Sequence, residues 1–307
     1  MIERIAIENR DQWLALRQSD VTASIAGALL GVHPYSTAYG LYLLKKGLVQ
    51  EDPEETGPMR RGRLLEPVAV QMLREDRPDW VVQDYPVGFY YRDPAARMGA
   101  TPDALVINEL GRLGSVQIKS VEPSIFRRDW KQDDGSIEPP LWIVVQGIIE
   151  AHLTGAQWAA VAPMVIGFGV ELPVIPIPIH AGVLDRIKGE IASFWQRVQE
   201  GRPYAPDYGR DGALIAKLYP DDNGCEIDLS ADNELPGLVD DLENIRGAKR
   251  TCENQEKFAK AAIAAKMGEA AIARIADGRR ITFKKTSRAG YAVEATSFRT
   301  IRVLKGR

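Results

Sequence analysis

The feature that most constrains this chain is a run of short apolar segments, punctuated by glycine and proline, between residues 80 and 200. WVVQ (80–83), VGFYY (87–91), MGATPDALVI (98–107) and LGSVQIKS (113–120) are rich in β-branched and aromatic residues and read as strands. NELGR joins the last two as a hairpin turn. The polar FRRDWKQDDGSIEPP reads as a loop with a short helix. PPLWIVVQGIIEAHLTG then reads as a helix, with Pro140 in its first turn and Gly155 at its end. QWAAVAPMVI and GVELPVIPIPI are two more strands. The second belongs at an edge, because Pro173, Pro176 and Pro178 cannot donate to a ladder. Residues 180–200 complete the run as an amphipathic helix. Strands interleaved with helices in this way predict a mixed α/β core around a central sheet.

Helices precede this core. One opens at Trp13, Leu14 and Leu16, a second runs through TASIAGALLG to Gly31, and a third contains Tyr39 to Leu44 with Ser36 or Thr37 as its cap. EDPEETGP is a loop by composition, and Leu64, Leu65, Val68, Met72 and Leu73 mark a helix over about 59–75. After GRPYAPDYG the character changes, which divides the chain into a core (1–209) and a C-terminal part (210–307). Residues 235–274 read as a long helix, broken near Gly268, with Leu238, Val239, Leu242, Ile245, Cys252, Phe258 and Ile263 as its apolar stripe. The basic tail, 279–305, ends as a small β unit carrying Lys284, Lys285, Arg288, Arg299, Arg302 and Lys305.

Composition narrows the function. Two widely separated cysteines, Cys225 and Cys252, and three histidines, His33, His152 and His180, lack the spacing of a disulfide framework, a zinc site or an iron–sulfur cluster. No stretch reaches the ~20 apolar residues of a membrane helix, and the polar N-terminus lacks a signal core. A soluble protein of the cytoplasm, in a bacterial or phage-infected cell, is expected. With 39 Lys and Arg against 42 Asp and Glu the net charge is −3, so any nucleic-acid contact must come from local basic clusters.

One constellation carries chemistry. Gln117 and Lys119 share a strand face because side chains alternate. Asp103, taken to lie near the turn side of the 98–107/113–120 hairpin, can approach that face. Glu66 comes from the preceding helix and Gln146 from the following one. Phosphodiester hydrolysis needs a cation to neutralise developing charge. Mg²⁺ prefers oxygen ligands, and a lysine can orient the attacking water and stabilise the transition state. The pattern D…QxK by itself is common in unrelated sequences.

In its order, however, the series resembles the YqaJ-like, or lambda-exonuclease-like, viral recombinase family, from Trp13 to about Tyr204. Trp13, Arg17, Thr22–Ser24 and Leu29–Gly31 match the opening motif, MRRGRLLEP the acidic helix, GATPDALV the Asp motif, SVQIKS the E-x-K strand, and WIVVQGIIEAHLTGA the Gln-bearing helix. The resemblance implies a restriction-endonuclease-like core of the PD-(D/E)xK superfamily, a central mixed sheet flanked by helices, extended by the C-terminal helical arm and small β unit. It implies Asp103, residue 117, the Ile118 carbonyl and Glu66 as ligands of Mg²⁺, with Mn²⁺ as the alternative. Lys119 would be the catalytic lysine and Gln146 a positioning group. Arg17 and Ser24 match residues that hold a 5′-phosphate, which suits an arginine fork and a hydroxyl. Arg61, Arg127 and Arg128, in clusters with Arg60, Arg63 and Lys131, are candidate DNA contacts.

The family carries glutamate where this chain has Gln117. Three readings stand: a substitution introduced to trap a DNA complex, a natural site compensated by another carboxylate, or a DNA-binding relic. Glu150, one helical turn after Gln146, is the candidate compensator. The expected function is a Mg²⁺-dependent 5′→3′ exonuclease on double-stranded DNA ends for phage-type recombination, working with a single-strand annealing protein and as a homo-oligomer. The alternative is a catalytically impaired relative that binds DNA ends or a partner. A RecB-like CRISPR-associated nuclease is disfavoured by the lack of a four-cysteine cluster.

Overall fold

Side-chain caps start three of the four early helices of this computed structural model, which describes residues 1–50, 55–83, 88–290 and 295–304. After β1 (Glu3–Ala6), the Asn9 side chain accepts from Gln12 N and opens α1 (Arg10–Ser19). β2 (Val21–Thr22) and a short α2 (Ala23–Ala26) follow. The predicted second helix thus closes one turn in, and residues 28–31 continue as turns. Thr37, rather than Ser36, caps α3 (Ala38–Lys45). Thr56 caps α4 (Gly57–Asp76), which continues through Pro67. Then come β3 (Val81–Val82), β4 (Phe89–Asp93), β5 (Met98–Ala100), β6 (Ala104–Ile107) and β7 (Leu113–Val121), followed by α5 (Pro123–Asp129) and α6 (Leu141–Thr154). Pro140 stands at the N-cap of α6, and Gly155 ends it in the left-handed conformation at φ 73°. The first unit closes with β8 (Trp158–Ile166), β9 (Val170–Glu171), β10 (Ile175–Ile177), α7 (Ala181–Glu200) and α8 (Gly212–Leu218). Val87, at the start of the expected VGFYY strand, lies outside the described residues.

The described strands of the first unit form two sheets. One has the order β1-β4-β5-β2, and the larger has β10-β8-β7-β6-β3 with β9 added to β8. The larger sheet is mixed: β7 and β8 run parallel, and its other pairs are antiparallel. β10 is an edge strand, as its prolines require. The expected strand 98–107 is instead two strands in different sheets, broken at Thr101–Asp103. Pro102 has no N–H for a ladder, so the chain leaves one sheet there and enters the other.

Alternation along β7 divides the core. Val116 and Ile118 pack with Ala69, Val70 and Leu73 of α4 on one face. On the other, Leu105, Val121, Val161 and Val165 pack with Ile143, Val145, Ile148 and Ile149 of α6. α6 is buried on nearly all sides, as expected of a helix apolar around its circumference. Burying one such side chain, Ile149, contributes about 1.5–3 kcal/mol.

The chain divides into two compact units, Met1–Leu218 and Tyr219–Arg307. Residues 210–218 join the first unit for a polar reason. Asp211 is buried, accepts from the Thr37 hydroxyl at 2.6 Å and from the Asp207 amide at 2.8 Å, and so ties this segment to the cap of α3. The second unit contains α9 (Leu235–Met267), ended by Gly268, and a hairpin of β11 (Ile272–Arg274) with β12 (Arg280–Thr282). The predicted stripe on α9 is largely exposed at Leu238, Ile245, Phe258 and Ile263. Lys305 lies outside the described residues. No described helix is long and apolar enough to cross a membrane.

Candidate active site

The β6–β7 register builds the centre of the site. Ala104 pairs with Val116, so Asp103 stands level with Gln117, on the face opposite α4. Asp103 is therefore at the open end of the hairpin, not near its turn as the sequence pattern suggests. Its Oδ2 accepts from the Ile118 amide at 2.8 Å and from Gln117 Nε2. Gln117 Nε2 also faces the Ile118 carbonyl at 3.3 Å. Gln146 of α6 donates from Nε2 to Gln117 Oε1 at 2.9 Å and to Glu150 Oε1 at 2.8 Å. Asp103, Gln117, Gln146 and Glu150 thus form one polar row, in which Gln117, Gln146 and Glu150 are only 2%, 5% and 1% exposed. Gln146 Oε1 and Glu150 Oε2 have no hydrogen-bond partner among the described residues. Gln146 stands between Glu150 and Gln117, so Glu150 acts on the centre through an amide and by its field.

Burial and mutual repulsion govern the acids. Desolvation, then the neighbouring Asp103 carboxylate, push the Glu66 carboxyl up to about 8, against the pull of Lys119. Asp103 is raised by burial and held down by Lys119, the Ile118 amide and Gln117. Glu150 is raised well above the usual range by burial and then by Asp103. Glu66, from the far side of the sheet, therefore shares the electrostatic environment of Asp103 and Lys119.

Among the described residues, no three His, Cys, Asp or Glu side chains converge as a metal cage. The donor set nevertheless fits a hard cation. Two carboxylates that disfavour each other's charge and a backbone carbonyl are oxygen ligands of the kind such ions take, and the Gln117 amide would add its oxygen only if turned over, since Oε1 faces Gln146 Nε2. The Gln117 amide N–H also donates toward Asp103 Oδ2 and the Ile118 carbonyl, two of the oxygens assigned to the ion. A neutral donor there satisfies acceptors that a cation would otherwise attract.

The N-terminal helices form a second wall. Arg17 of α1 lies over the Trp13 ring at 4.5 Å, and its carbonyl accepts from Lys45 Nζ at 2.6 Å. Arg17, Lys45, Thr22 and Gln18 line a small cavity of about 30 Å³. Ser24 Oγ lies 3.2 Å from Thr22 Oγ1. The basic clusters are less uniform than their sequence suggests. Arg61 faces Glu122 at 3.6 Å, Arg63 pairs with Glu55 and Arg128 with Asp129, both at 2.7 Å, while Arg127 is exposed on α5. Trp130 is buried against Phe126 and belongs to the core, not to a DNA-facing patch.

Residues 12–157 match the model of the YqaJ-like viral recombinase domain. Over that span the chain is similar to a YqaJ-like domain. That segment contains Arg17, Ser24, Glu66, Asp103, Gln117, Lys119, Gln146 and Glu150. No curated protein matches the chain. Among solved structures it is similar to the alkaline exonuclease LHK-Exo of Laribacter hongkongensis, at 21% identity over 67% of this chain and 100% of that one, with a TM-score of 0.47. LHK-Exo in complex with dAMP matches at 21% identity over 67% and 99%, with a TM-score of 0.49. A SOX–DNA complex matches at 11% identity over 66% and 71%, with a TM-score of 0.41.

Residues 12–157 also contain side chains whose place in the site no sequence pattern marks. Lys45 reads as an ordinary basic end to α3, and only packing brings it to Arg17. Trp142 reads as one apolar residue of α6, yet its ring lies 5.6 Å from Lys119 Nζ. The exposed aromatic Tyr35 after a proline was the one available signal for the loop beside it.

Proposed function

We propose that this protein is a metal-dependent deoxyribonuclease, an exonuclease acting 5′→3′ on double-stranded DNA ends with Mg²⁺, or Mn²⁺ in its place. The arrangement of Asp103, Gln117 and the Ile118 carbonyl on one face of the β6–β7 hairpin, within the fields of Lys119 and Glu66, is the observation that carries the reading. Asp103, Glu66 and the Ile118 carbonyl would hold the cation, joined by Gln117 Oε1 once that amide turns over to face them, and the cation would supply Lewis-acid polarisation of the phosphate. The Lys119 ammonium orients the attacking water and offsets charge building on the phosphate oxygens. Gln146 fixes the Gln117 amide. Arg17 and Ser24, with Lys45 beside them, take the 5′-phosphate, and Arg127, Arg128 and Arg61 add backbone contacts. In this reading residues 1–218 are the nuclease core. The second unit contributes exposed Lys284, Lys285, Arg288, Arg299 and Arg302 toward DNA or a partner such as a single-strand annealing protein. The role is end processing in phage-type recombination, and the assembly a homo-oligomer.

The hydrogen bond from Gln117 to Asp103 favours a second reading, a disabled nuclease that binds DNA ends. One assay separates the two. Linear duplex with 5′-phosphates is incubated with Mg²⁺ and the native protein, Gln117→Glu or Lys119→Ala. Degradation that Lys119→Ala abolishes supports the enzyme. Silence relieved by Gln117→Glu identifies the disabled form, and silence in all three, with retained DNA binding, leaves the binding module.

A further inference from the structure

Tyr35 is 84% exposed, yet the loop that carries it is tied down. Arg210 Nη2 donates to the His33 carbonyl at 2.5 Å and to the Ser36 carbonyl at 2.8 Å, one on each side of Tyr35. The Tyr35 amide donates to His33 Nδ1 at 3.2 Å. Pro34 further restricts the backbone between them. Ordering an exposed aromatic side chain gains little from burial, so the Tyr35 ring itself adds little to folding.

The surroundings point the ring at the site. Tyr35 meets Trp142 edge-on at 6.5 Å between centroids and His33 at 6.1 Å, and His33 meets Trp142 at 5.1 Å. Trp142 in turn lies 5.6 Å from Lys119 Nζ. Its seat is fixed by close backbone packing: a Cβ at Gly27 would lie 3.1 Å from Trp142 Cβ and 3.3 Å from its Cα. Tyr35 is thus two ring contacts from the lysine, its own contacts are edge-to-face, and most of its ring is open.

We propose that Tyr35 is a nucleobase-stacking residue, braced by His33, Trp142 and Arg210 to hold the base of a nucleotide next to the phosphate at Lys119. The proposal rests on the nuclease reading above and names a contact that this reading does not require. A ring face stacks on any of the four bases, so the contact positions DNA without reading its sequence. It also complements the basic side chains, which can grip phosphates but cannot fix how far a strand advances.

The test is binding of the full chain to 5′-phosphorylated duplexes in EDTA, so that no cleavage intervenes. Each duplex is intact or carries an abasic site at its first, second or third nucleotide from the end. On intact DNA Tyr35→Ala is expected to weaken binding by between about 5-fold and 150-fold, while Tyr35→Phe binds like the native protein. At one abasic position the native protein and Tyr35→Ala should bind alike. With 2-aminopurine at that position, the native protein should quench its fluorescence and Tyr35→Ala should not. Equal binding of intact DNA by the native protein and Tyr35→Ala overturns the proposal. So does a loss that persists at every abasic position. Failure of the native protein to bind any duplex overturns the nuclease reading and this proposal together.

Discussion

The two walls of the site solve opposite problems. The β7–α6 wall is a buried row of acids and amides, Asp103–Gln117–Gln146–Glu150, in which low dielectric magnifies each interaction and makes each unpaired atom costly. The N-terminal wall of α1, α2 and the 33–36 loop offers Arg17, which lines a small cavity with Thr22 and Lys45, together with Ser24 beside Thr22 and an exposed Tyr35. The first wall is suited to setting protonation and charge, and the second to gripping a ligand that arrives from water. Changes in the first should alter chemistry or stability, and changes in the second should alter DNA affinity while leaving the fold intact.

The largest effect that separates the walls is expected at Lys119. Lys119→Ala should lower the rate of duplex hydrolysis by about 10²–10³-fold with DNA binding nearly unchanged, as measured by single-turnover digestion and by binding in EDTA. A matching loss of affinity would place Lys119 with the grip and break the comparison. Next comes Arg17→Ala. It should weaken binding of 5′-phosphorylated over 5′-hydroxyl ends by roughly 10-fold, the value of a charge-assisted pair, with little change in melting temperature.

A smaller, thermal effect belongs to Glu150. Its carboxyl is raised by burial, so stability from its protonated form is present below the usual carboxylate pKa. That stability is lost as pH climbs through the raised value. Glu150→Gln should therefore match the native protein near pH 4 and melt roughly 2–6 °C higher near pH 8, by calorimetry across pH. Equal melting at both would show that Glu150 is paired after all. The smallest effect is expected at exposed Arg127. Arg127→Ala should reduce the slope of log affinity against log salt by about one and weaken binding only slightly.

Much of this was legible in the sequence because it is local. Proline spacing marked β10 as an edge, Gly155 marked the end of α6, and period two placed Gln117 and Lys119 on one face. The likeness carried by MRRGRLLEP, GATPDALV and SVQIKS selected Glu66, Asp103 and Lys119, and the fold gathers them electrostatically. The reading of 98–107 as one strand failed because each half has strand character. Only the choice of partner strand showed that Pro102 divides two sheets. In the basic clusters the sequence counts charges without their partners, and Glu55, Glu122 and Asp129 each meet one of those arginines.

By itself, then, the sequence determined the kinds of element, their order and the residue types available for phosphate chemistry, since helix and strand periodicity are written within a few residues of each position. The tertiary structure alone decided that Asp103 lies level with Gln117, that Gln146 stands between Gln117 and Glu150, and that Asp211 joins the first unit through Thr37. It also set Tyr35 beside Trp142. These are contacts between residues distant in the chain, fixed by strand register and side-chain packing, which no local pattern encodes.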